Sequence, residues 1–146
     1  MINVRDILQD KGKDIWQVKP ETSVFEALKL MAEKNIGALL VCDGEKLAGI
    51  FSERDYARKV ILKGKASKET LVKEIMTSVV VTVRYGQTVE ECMSLMTQYR
   101  IRHLPVVDGE KLCGVISIGD VVKAIISDQE FTIKQLENYI TGGPTA

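Results

Sequence analysis

The chain has 146 residues, 20 Lys+Arg balanced by 20 Asp+Glu, and a single His. An apolar fraction of 45% beside 27% charged residues is that of a folded chain and excludes wholesale disorder. Zero net charge argues against a nucleic-acid or anionic-membrane binder, and no run approaches the ~18 apolar residues of a membrane span.

Residues Val4-Arg5-Asp6-Ile7-Leu8 form a prelude that returns as Val72-Lys73-Glu74-Ile75-Met76. An extended segment, Ile15–Val18, follows the first prelude, and Ser23-x-x-Glu26 then reads as a capping box opening a helix that carries Val24, Leu28 and Met31 on one face. Ala38–Cys42 reads as a buried strand. Asp43-Gly44 supplies the positive φ angles of a hairpin turn, Leu47–Ser52 returns as a second strand, and another helix opens near Asp55. Residues 57–76 lead onward with a loop at Gly64–Ser67, and Arg58 and Lys59 are expected on a solvated helix face.

The same order then repeats. Residues 24–56 and 89–121 align without gaps at an offset of 65, with 15 identities in 33 positions. Val79–Val83 is the second extended segment, Thr88-x-x-Glu91 the second capping box, and Val89, Met93 and Met96 the second helix face. Leu104–Val107, Asp108-Gly109 and Leu112–Ser117 are the second hairpin, before a helix near Asp120. The expected fold class is α/β (α+β), two tandem β-α-β-β-α units. Units of ~60 residues are too small for a comfortable core alone, so they are expected to pack on each other. Asp128–Ile140 is expected as a last, separate helix using Phe131, Leu136 and Ile140, with a loose tail from Gly142-Gly143-Pro144.

Gly49-Ile50-Phe51-Ser52-x-x-Asp55, Gly114-Val115-Ile116-Ser117-x-x-Asp120 and Arg102-His103-Leu104-Pro105-Val106-Val107-Asp108 resemble the motifs of the CBS domain. A tandem pair of such motifs is a Bateman module with pseudo-two-fold symmetry. The resemblance implies motif 1 over 1–62, motif 2 over 63–127, and a C-terminal helix and tail over 128–146. It also resembles a stand-alone subgroup of bacteria and plant organelles. What it implies is a regulatory, non-catalytic module with clefts for AMP, ADP, ATP or NAD(H), forming a homodimer and signalling in trans to an unidentified protein. An alternative is an interaction regulator, for instance of a thioredoxin-type partner, with nucleotide secondary.

An Asp carboxylate accepts from a ribose cis-diol, and a strand-to-helix junction presents free N–H groups to phosphate, so Asp55, Asp120, Ser52 and Ser117 are the leading candidates. Ser-x-x-Asp is equally a helix cap, and both roles can hold together. Val79, Val80, Val81 and Leu104 are candidates to sandwich a purine. By the resemblance Arg102 and His103 lie near phosphate, Arg54 assists, and Gly37, Ala38, Thr77, Pro105 and Trp16 complete the set. Arg102-His103 aligns with Gly37-Ala38, so unequal clefts are expected, with the Arg102/His103 cleft the tighter for AMP and its affinity weakening as pH rises through ~6–7 if His103 contributes as a cation.

One His and no Cys or carboxylate at ligand spacing give no metal site. There is no G-x-x-x-x-G-K-[ST], no G-x-G-x-x-G and no nucleophile with an evident base, so an enzyme is not expected. Cys42, Cys92 and Cys113 form no CxxC and read as small core residues of a reducing, cytoplasmic setting, and residues 1–13 hold no apolar signal core.

Overall fold

The computed structural model describes residues 2–12 and 14–141; the expected loose tail lies outside them. Helix α1, Val4–Lys11, starts at Asn3, whose side chain accepts from the Asp6 N–H while the Asp6 carboxylate accepts from the Asn3 N–H. Strand β1, Gln17–Val18, is followed by helix α2, Val24–Lys34, which buries Val24, Ala27 and Met31. Strands β2, Ala38–Asp43, and β3, Lys46–Ser52, form the hairpin, with β1 parallel to β2 at the edge. Helix α3, Glu53–Lys59, and a 3-10 turn, Ile61–Lys63, close the first unit.

The second unit opens with α4, Val72–Ile75, then α5, Val89–Tyr99, and the hairpin of β4, His103–Asp108, and β5, Lys111–Ser117. The repeat extends to irregularities. Each hairpin is bulged at the same place, between Val41 and Cys42 and between Val106 and Val107. Both α2 and α5 end on a left-handed residue, Asn35 and Arg100, each at φ 54°. Gly44 and Gly109 have φ of +63° and +64°, and Asp43 pairs with Lys46, so the turn itself is Gly44-Glu45 rather than Asp43-Gly44. Only its first residue needs the left-handed region, the glycine-first pattern of tight hairpins.

Three sequence expectations are corrected. Val79–Val83 is not a strand, because its two ends are tied to different sheets. Thr77 bridges Ile50 on β3, whereas Val83 bridges Val106 on β4, so the residues between cross from one sheet to the other. Asp128–Ile140 is not a separate helix: α6 runs unbroken over Ile118–Thr141, since no Gly or Pro follows Gly119 within it. The capping boxes at Ser23 and Thr88 are one-way. Each hydroxyl accepts from the N–H three residues on, while the backbone bridges to Leu71 and to Asn3 respectively.

Those bridges mark an exchange between the units. Val4, Ile7 and Leu8 of α1 belong to the core of the second unit, beside Val89, Leu104 and Ile116. Val72 and Ile75 of α4 belong to the core of the first, beside Val24, Leu39 and Phe51. Matching backbone bonds tie them in: Val4 N–H to Gln87 O at 2.9 Å, and Val72 N–H to Thr22 O at 2.8 Å. Gly49 and Gly114 make room for the exchange, because a Cβ at either would meet Met76 Sδ at 2.7 Å or Leu8 Cδ2 at 2.9 Å. Cys42 and Cys92 are buried as expected, and burial holds the Cys92 thiol up at about 11; Cys113 is only partly covered.

Candidate functional site

Two clefts lie where the units meet. The first, of about 450 Å³, sits over the start of α3 and is lined by Ser52, Arg54, Asp55, Thr77 and Val79–Val81, with Tyr99–His103 arriving from the second unit. The second, of about 510 Å³, sits over the start of α6 and is lined by Ser117, Ile118 and Gly119, with Lys11, Trp16 and Asn35–Ala38 from the first. Both volumes suit a small organic ligand.

Each helix start is a full reciprocal cap. Ser52 N–H donates to Asp55 Oδ2 at 2.9 Å and Asp55 N–H to Ser52 Oγ at 3.2 Å. Ser117 N–H donates to Asp120 Oδ2 at 2.8 Å and Asp120 N–H to Ser117 Oγ at 3.2 Å. The structural role of Ser-x-x-Asp is therefore real, and each carboxylate takes a further donor: at Asp55 both oxygens are engaged, whereas at Asp120 the Ser117 and Lys11 bonds both fall on Oδ2. Asp55, only 8% exposed, takes Lys59 Nζ at 3.1 Å and Thr77 Oγ1 at 3.4 Å on Oδ1. Asp120 takes Lys11 Nζ at 2.7 Å, and the same ammonium donates to Val115 O at 2.9 Å. Burial pushes the Asp120 carboxyl up, but the hydrogen bonds from Lys11 and Ser117 outweigh it and leave it below the usual carboxylate range.

The candidates divide accordingly. Ser52, Arg54, Asp55, Thr77, Val79, Val80 and Val81 share the first cleft, and Ser117, Gly37, Ala38 and Trp16 share the second. Arg102, His103 and Gly37 line both, so Arg102 and His103 do not distinguish the clefts as their alignment with Gly37-Ala38 suggests. Asp120 faces a smaller groove with Asp6, Asp10, Lys11 and Lys123, and Lys11 stands between that groove and the second cleft. Leu104 and Pro105 are buried beneath, with Leu104 in the second core. Lys34 lies 4.3 Å above the Trp16 ring.

Arg58 is exposed and Lys59 partly so, in keeping with the solvated face expected for them, and that face also lines the first cleft because α3 runs along it. With Arg54, Arg100 and Arg102 they give this cleft five cations against Glu53 and Asp55. The second has Lys11 and Arg102 against Asp14. Arg54 is anchored across the cleft, its Nη1 donating to Arg100 O at 2.7 Å. Burial first, then the Lys11 and Arg102 charges, hold the His103 imidazole below 6.5 against the opposing pull of Asp120, which favours its neutral form. Lys11, Lys59, Tyr99 and Arg100 had no motif to announce them.

A β-α-β-β-α unit paired with an α-β-β-α one, with exchanged lead-in helices and a cleft at each helix start, defines a tandem module with two inter-unit clefts. The CBS-domain family model matches residues 1–62 and 72–127, and the chain belongs to that family. It is 40% identical over 150 residues to the mitochondrial CBS domain-containing protein CBSX3 of Arabidopsis thaliana, covering 96% of this chain and 72% of the relative. A solved structure of a protein with CBS domains from Burkholderia ambifaria MC40-6 shares 56% identity at a TM-score of 0.84, over 87% of this chain and 96% of that one. The CBS domain pair of MJ0100, solved with 5-methylthioadenosine and S-adenosyl-L-methionine, shares 28% identity at a TM-score of 0.77, over 88% and 98%.

Proposed function

We propose that the protein is a non-catalytic sensor of adenine nucleotides, AMP, ADP, ATP or NAD(H), acting in trans on another protein. The observation that carries this reading is the five-cation lining of the first cleft beside the apolar wall of Val79–Val81. Cations at that density suit phosphate, and an apolar wall beside them suits a base. The adenosyl ligands solved in the MJ0100 pair support the ligand class. At Asp55 a ribose fits by competition, replacing Thr77 or Lys59, and at Asp120 it competes with Lys11 for Oδ2. The first cleft is then the tighter for phosphate, through Arg58, Lys59 and Arg100 rather than His103. No helix among the described residues is long and apolar enough to cross a membrane. Homodimerisation and a cytoplasmic location complete the proposal, although one relative is named as mitochondrial.

Titration calorimetry with AMP, ADP, ATP, NAD(H) and guanine counterparts tests this, alongside thermal melts. A ligand at ~100 times its Kd adds about 2.7 kcal/mol and raises Tm by several degrees. Arg58→Ala, on an exposed side chain, should weaken the tighter site about tenfold without lowering Tm. Unchanged melting with every adenine nucleotide at millimolar concentration sinks the reading.

A further inference from the structure

Helix α6 outruns the body of the protein. Val121 is fixed in the second core, whereas almost every position from 129 to 141 is exposed. Val122, Ile126, Gln129, Ile133, Leu136 and Ile140 recur at alternating spacings of four and three, which aligns them in one stripe. Its apolar members are exposed, from 42% at Val122 to 79% at Ile140. A stripe of average period 3.5 over three heptads is a coiled-coil seam, with Ile126, Ile133 and Ile140 at one seam position and Val122 and Leu136 at the other.

We propose that this stripe pairs antiparallel with α6 of a second copy of the chain, centred on residue 131. This deepens the homodimer reading above, on which it rests, and is independent of nucleotide. In that register Val122 faces the second copy's Ile140, Ile126 its Leu136, and Gln129 its Ile133, so every apolar seam residue is covered. The flanking charges choose the direction. Antiparallel pairing sets Lys123 opposite Glu137 twice, with the like-charged Glu130 pair near the axis. A parallel pair sets Glu130 and Glu137 beside Ile125 and Thr132 and makes no ion pair. The first half of α6 is already ordered by the core, which reduces the entropy lost on pairing.

Sedimentation of the full chain across a concentration series tests the proposal, with Ile133→Glu/Leu136→Glu as the variant. Both side chains are exposed in one copy, so the fold and its melt at low concentration should stay as they are, while self-association weakens by roughly a hundredfold or more. A variant as dimeric as the parent overturns the seam and leaves the homodimer on another face. A parent that stays monomeric at high micromolar concentration overturns both. Register is read separately. Lys123→Glu should weaken pairing and Glu137→Lys in the same chain restore it; Glu130→Cys in a Cys113→Ser background should cross-link across the axis on oxidation. A dimer showing neither rescue nor cross-link refutes the antiparallel arrangement.

Discussion

Replacing Lys11 with Met isolates the competition at Asp120. The ammonium is 2.7 Å from Asp120 Oδ2, with side chains 32% and 21% exposed, so the pair is neither buried nor free in water. A partly exposed pair is worth about 1 kcal/mol at most, and the Ser117 N–H still holds the carboxylate, so Lys11→Met should lower Tm by only about 3 °C. Binding should move further, and in the opposite direction. A diol that takes Asp120 Oδ2 in the parent displaces an ion-paired donor, and a hydrogen bond to a charged group is worth about 1.5–3 kcal/mol. Removing the competitor should tighten the weaker class of sites by roughly tenfold or more and leave the tighter class at Asp55 unchanged. Two-site calorimetry with AMP reads both classes in one titration. If the weaker class is lost in Lys11→Met, the lysine is a phosphate ligand rather than a competitor, and the argument fails.

Two further outcomes follow from the same geometry. Gly49→Ala should cost more stability than Gly114→Ala: the added Cβ lies 2.8 Å from the Thr77 carbonyl oxygen in the first case, but meets only the movable Leu8 side chain in the second. Overpacking of this kind costs about 1–3 kcal/mol, and denaturant midpoints should rank the two. His103, held below its ordinary 6.5 when folded, contributes stability that is present above 6.5 and lost as pH falls through the folded value. Midpoints measured from pH 7.5 to 5 should therefore decline, and His103→Gln should flatten that decline; equal slopes would show that other groups carry it.

Much of this is legible in the sequence alone. The hairpins, the helix starts and the pairing of two units followed from a gap-free repeat whose side chains carry the period of the elements they form. The exchange of α1 and α4 was not legible. Val4–Leu8 and Val72–Met76 advertise apolar faces, but an apolar face does not say which of two near-identical cores it covers. The same limit hid Lys11: a lysine ending a short helix has no signal until the helix is docked against Val115 and Asp120. Arg58 and Lys59 lie on the solvated face that a charge run on a helix usually occupies, and only the position of α3 along the cleft makes that face a lining. For His103, sequence shows the imidazole but neither its burial nor the Lys11 charge beside it.

The exchanged segments also give the two carboxylates a common design. Asp55 belongs to the first unit, and its outer donor Thr77 follows α4, the segment the second unit lends to the first core. Asp120 belongs to the second unit, and its outer donor Lys11 ends α1, the segment the first unit lends to the second core. Each helix cap is thus closed by the strap that links it to the other unit. A ligand that displaces Thr77 at Asp55 or Lys11 at Asp120 releases that strap, and the strap is packed by Met76 or Leu8 against a glycine of the neighbouring hairpin with no room to spare. Interiors packed this tightly respond by shifting as bodies rather than by yielding locally. Displacement of either donor would therefore bear on the relative placement of the two units, which is the change of surface that the proposed action in trans requires.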